Sequence, residues 1–132
     1  MKITLIAVTF CASALALVAP LSAAGLNDQD KRFLAAYEQV HQSLAADDLA
    51  GAQKAGAELG PAGADLTKSK SLEEARAAFE KLSAEARSIV AGQSGYYVFH
   101  CPMLKKDWVQ TSTAVANPYG GKGMTGCGEV SK

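Results

Sequence analysis

The side chains with the richest coordination chemistry in this sequence gather near its end: His100, Cys101, Met103, Met124 and Cys127. They include every sulfur atom after residue 24, and the stretch from residue 25 to residue 95 contains none. If His100-Cys101-Pro102-Met103 is extended, alternation puts Cys101 and Met103 on one face and His100 on the other. Met124 and Cys127, three apart, share a face if their segment makes one turn. The two halves then present Cys-x-Met and Met-x-x-Cys, a soft donor set suited to copper(I) or silver(I), with His100 as an optional further ligand. Zinc fits less well, because thioethers bind it poorly and its structural sites draw four ligands from Cys and His. Haem attachment needs Cys-x-x-Cys-His, which the sequence lacks.

Each of these residues also has a plainer reading. Cys101 and Cys127 could form a structural disulfide, closing a loop of about 25 residues and stabilising a small domain by about 3 to 4 kcal/mol through the chain entropy of the unfolded state. Residue types alone leave bridge and thiolate pair even. Methionine fills cores more often than it binds metal, and His100 serves equally as ligand or surface residue. His41 lies on the apolar stripe of a helix, where a hydrogen-bonded core histidine is expected. Trp108 is expected as a buried anchor rather than a ring lid over a cation. The stretch from Gly121 to Gly126 has the letters of a dinucleotide fingerprint without the strand before it and the helix after it, so its glycines are assigned to tight turning around Met124 and Cys127. No nucleophile-and-base set emerges, and the chain reads as a binder, not an enzyme.

Three helices must position this tail. Leu26 to Ala46 carries Asn27 or Asp28 as N-cap and an apolar stripe of Phe33, Leu34, Tyr37, Val40, His41 and Leu44. Asp47 or Asp48 caps a second helix through Leu49, Ala52, Ala55, Gly56 and Leu59, which Gly60-Pro61 stops. Pro61 to Lys70 is expected as an exposed connection. Ser71-Leu72-Glu73-Glu74 is a capping box, in which Ser71 accepts from the amide of Glu74 and Glu74 reaches back to the amide of Ser71. The third helix follows, with Leu72, Ala75, Phe79, Leu82, Ala86, Ile89 and Val90 on one face and Gly92 and Gly95 at its end. Tyr96-Tyr97-Val98-Phe99 is a short β-prone segment. The expected fold is mainly α: a small up-down three-helix bundle with a Gly-rich Cys/Met tail over residues 96–132 folded across one end.

The start of the sequence reads as a secretory signal peptide over residues 1–24: Lys2, an apolar run from Ile3 to Ala19, Pro20, then Ser22-Ala23-Ala24 before the cut. The run is short for a membrane span. As a lipid anchor Cys11 is poorly placed, inside the run and after Phe10. The full chain has 13 basic and 13 acidic residues, so losing Lys2 leaves 12 against 13, a net charge near −1. Basic residues scattered among carboxylates exclude a nucleic-acid face. Export places residues 25–132, a single domain, in the oxidising periplasm with no membrane attachment after cleavage, where Cys101 and Cys127 pair or bind metal.

Across most of the exported part the sequence resembles a bacterial domain of unknown function that often forms the C-terminal extension of Cus-type copper and silver efflux adaptors. The resemblance rests on the stretch from Tyr37 to Asp48, on Ala75-Arg76-Ala77-Ala78-Phe79 with Leu82-Ser83, and above all on the tail. There Tyr97, Cys101-Pro102-Met103, Trp108, Asn117-Pro118-Tyr119, Gly121, Met124 and Cys127-Gly128-Glu129-Val130 follow in order. The stretch between Met103 and Trp108 is shorter than usual in that family, and Gly120 stands where an aromatic is usual. The resemblance implies a copper or silver role for Cys101, Met103, Met124 and Cys127, with an efflux adaptor or a metallochaperone as protein partner. The expected function is therefore periplasmic soft-metal binding linked to heavy-metal handling or efflux. Its rival is a non-metal interaction module stapled by a Cys101–Cys127 bridge, with the helical faces binding a protein.

Overall fold

The computed structural model describes residues 25–131, so the signal-peptide reading of residues 1–24 lies outside the described residues. Helix α1 spans Asp28–Ala45, and Asn27 caps it by accepting the amide of Asp30 at 2.8 Å, with Asp28 and Asp30 favourably placed in the first turn. Helix α2 spans Leu49–Glu58, capped by Asp48, whose side chain accepts the amide of Gly51 at 2.9 Å. A 3₁₀ turn over Gly60–Gly63 leads into the short helix α3, Ala64–Lys68. The expected loop is therefore helical over most of its length, and Leu66 explains it: this side chain is buried in the core and draws its segment onto the other helices. Helix α4 spans Leu72–Ile89. Ser71 accepts the amide of Glu74 at 3.1 Å, but Glu74 reaches one residue beyond Ser71, to the amide of Lys70 at 2.7 Å.

The apolar stripes meet as their periodicity requires. Leu34, Tyr37, Val40 and Leu44 of α1 bury against Ala75, Phe79, Leu82 and Ala86 of α4, with Ala52 and Ala55 of α2 closing the cluster. Burying a side chain the size of Leu or Phe stabilises by about 1.5–3 kcal/mol. Tyr37 and Phe79 also stack at 4.8 Å between ring centroids. No helix among the described residues is long and apolar enough to cross a membrane.

The tail departs most from expectation, because it folds into a sheet. Strand β1 spans Tyr97–Cys101, β2 spans Lys106–Gln110 and β3 spans Glu129–Val130, all antiparallel in the order β2-β1-β3. The described residues are thus mainly helical, with four α-helices and a small three-stranded sheet in place of a plain three-helix bundle with one β segment. Helix α4 lies along β2 and pairs with its charged residues: Arg87 with Asp107 at 2.7 Å and Glu80 with Lys106 at 2.6 Å. Exposed pairs of this kind add little stability. The anchoring comes from Trp108 and Val109, which are buried on β2, and from Phe99 of β1, stacked on Trp108 at 5.6 Å.

Candidate functional site

Strand pairing brings the two cysteines together. Cys101 is the last residue of β1, and the chain turns through Pro102, Met103, Leu104 and Lys105 before β2 begins. The amide of Lys105 closes the turn on the carbonyl of Cys101 at 2.8 Å, with Lys105 itself at a positive φ of 54°. On the other edge of β1, Phe99 faces Val130 and His100 faces Glu129. Continuing that register sets Gly128 beside Cys101 and Cys127 beside Pro102. Gly128 is required there, because a Cβ on it would come within 2.6 Å of Trp108 Cη2 and 2.9 Å of Val115 Cγ2. The glycine after Cys127 therefore lets the returning chain lie against the indole.

Cys101 is fully buried, Cys127 partly, and both thiols are free. The two thiols lie close enough to act on one another's ionisation. Burial by itself would push the Cys101 thiol up. It is held below the ordinary thiol range because the Cys127 thiol, the amides of Leu104 and Met103 and the side chain of Asn117 all donate to its sulfur. Cys127 is pushed up, first by donating to Cys101 and then by burial, against a smaller opposing pull from the Met103 amide. Of the two thiols, Cys101 is therefore the one whose surroundings favour the thiolate.

Asn117 ties the two cysteine segments together. It is fully buried, and its Nδ2 donates to the carbonyl of Cys127 at 2.8 Å as well as serving the Cys101 sulfur. Its Oδ1 accepts from the amides of Tyr119 at 2.9 Å and Gly120 at 3.0 Å, and its own amide donates to the carbonyl of Thr125 at 3.0 Å. One side chain thus fixes the turn before Met124 and the sulfurs on either side of it. Tyr119 fastens the same loop to the helices: its hydroxyl donates to Ser83 Oγ at 3.0 Å, and its ring meets Phe79 at 5.7 Å and Trp108 at 6.3 Å. Arg76 of α4 holds the loop from below, reaching the carbonyl of Pro118 at 2.8 Å, the carbonyl of Leu44 at 3.0 Å and Asp47 at 2.6 Å. The Arg76 guanidinium, with the Lys122 amide, holds the Asp47 carboxyl below its ordinary range. Gly121, at φ 56°, leaves room for that ion pair.

Of the sequence-predicted ligands, the structure joins Cys101 and Cys127. Met103 does not share a strand face with Cys101, because β1 stops at Cys101 and Pro102 starts the turn. It sits in the turn between β1 and β2, and its side chain is 75% exposed. Met124 is half-buried in the expected turn, its carbonyl accepting the amide of Cys127 at 3.0 Å. His100 lies apart, beside Asp107, with Nδ1 2.6 Å from the carboxylate. His41 is buried in the core, its Nε2 donating to the carbonyl of Ala116 at 2.7 Å, and its Nδ1 is 3.5 Å from Glu38. Among the described residues no three His, Cys, Asp or Glu side chains gather around a common point. The contributions of Asn117 and of the turn amides were not read from the sequence; the Asn-Pro-Tyr motif was their only signal. No protein-family model matches the chain, and no curated protein or solved structure matches it either.

Proposed function

We propose that this is a periplasmic domain that binds copper(I) or silver(I) and holds or passes it in heavy-metal handling or efflux. The observation that carries the reading is a pair of free cysteines brought side by side by separate segments, Cys101 buried at the end of β1 and Cys127 set beside the adjoining Pro102 by the register of β3. Thiolates are the ligands that select soft monovalent ions. Cys101 and Cys127 hold the ion, and Met124 supplies a thioether from the turn preceding Cys127. Two cysteines, with no third His, Cys, Asp or Glu gathered beside them among the described residues, suit a soft ion of low coordination number better than tetrahedral zinc. The likeness of the tail to the efflux-adaptor extension points the same way and supplies the partner class, an adaptor or a metallochaperone.

The adjacency of the sulfurs also serves the rival reading, a Cys101–Cys127 bridge in an interaction module. The two readings separate by thiol counting on protein taken from the periplasm with and without added copper. Metal binding requires two titratable thiols, protected when copper is present and released by a copper(I) chelator. A bridge that persists with copper present favours the rival.

A further inference from the structure

The exposure of Met103 is costly to explain as packing. Beside Val130 it is one of two large apolar side chains left exposed among the described residues, 75% accessible, so it adds almost nothing to the core. Yet residue 103 lies in the turn two positions after Cys101 and next to Pro102, which the register of β3 sets beside Cys127, so it borders the pair. Cys101 has no accessible surface of its own, whereas Cys127 is partly exposed. A soft ion arriving from solvent therefore meets Met103 and Cys127 before Cys101.

We propose that the Met103 thioether is the port of the site: it takes a soft monovalent ion from a donor ligand in solution or on another protein and hands it to Cys127, and it serves in reverse on release. This rests on the soft-metal reading above. The Met103 sulfur forms a bond to the ion as the donor's bond breaks. Cys127 then displaces the thioether and Cys101 completes the holding pair, each thiol proton passing to water as its sulfur binds the ion. No electron changes hands. A ligand used on the path but absent from the end state speeds loading and release together and leaves the equilibrium nearly unmoved.

Stopped-flow transfer of copper(I) from a chromophoric copper(I) chelator to the reduced exported protein tests this. Met103→Leu, which keeps volume and apolarity, should slow loading and release alike by about tenfold, with the dissociation constant moving far less. Val130→Ala, at the other exposed apolar position, should leave the rates at the parent's values. Equal rates for Met103→Leu and parent would overturn the port. So would a loss of affinity as large as the loss of rate, since that assigns Met103 to the holding set. A parent protein that binds no copper(I) at all sinks the soft-metal reading itself, an outcome distinct from either of these.

Discussion

Replacing Asn117 by Ala removes the clamp between the two cysteine segments, and its cost follows from the bonds it makes. Three backbone groups lose their partner: the carbonyl of Cys127 at 2.8 Å and the amides of Tyr119 at 2.9 Å and Gly120 at 3.0 Å. An orphaned buried group costs about 1–3 kcal/mol; because these lie only partly buried, water recovers a share, and about 1 kcal/mol each gives a loss of about 3 kcal/mol. For a domain of this size that lowers the melting temperature by roughly 12–24 °C. Tyr119→Phe is the internal reference, since it gives up only the hydroxyl's bonds to Ser83 at 3.0 Å and to the carbonyl of Asp107 at 3.2 Å. It should cost about 1 kcal/mol. Thermal melts of reduced, metal-free protein followed by circular dichroism at the indole and tyrosine bands read both. An Asn117→Ala protein that melts no lower than Tyr119→Phe refutes the argument that Asn117 organises the loop.

Gly128→Ala forces a methyl into the faces of Trp108 and Val115 and should destabilise by about 1–3 kcal/mol, read as a lower urea midpoint with an unchanged slope; a midpoint equal to the parent's contradicts the close approach. Burial holds the hydroxyls of Tyr37 and Tyr119 protonated far above the ordinary tyrosine range, with the bonds to Ser83 opposing it only in part. The folded state thus keeps these protons more tightly than the unfolded chain, so stability is intact below about pH 10 and falls as pH rises toward the folded values, by about 1.4 kcal/mol per pH unit for each tyrosine. Tyr37→Phe should reduce that alkaline slope in urea unfolding; a slope equal to the parent's contradicts the assignment.

The helices were legible because their caps and stripes are local: Asn27, Asp48 and Ser71 mark three starts, and Tyr37, Val40, Phe79 and Leu82 mark the buried faces. Helix α3 was not, since its five residues follow Pro61 and Gly63 and carry one buried side chain that matters, Leu66. Strand β2 hid behind Lys106 and Asp107, charges whose partners Glu80 and Arg87 are far away in sequence. The pairing of Cys101 with Cys127 was legible as chemistry, but their separation depends on the register of β3, two residues with no pattern of their own. The shared strand face of Cys101 and Met103 failed because Pro102 ends the strand, a local signal that alternation overlooks.

Competition for copper(I) against a chromophoric chelator tests the central claim most directly, run on reduced protein spanning residues 25–132 beside its Cys101→Ser and Cys127→Ser variants and repeated with zinc(II). The account predicts tight copper(I) binding by the parent, lost in both serine variants, and weak zinc binding throughout. Zinc binding without copper(I) binding, or serine variants that hold copper(I) as tightly as the parent, would contradict it.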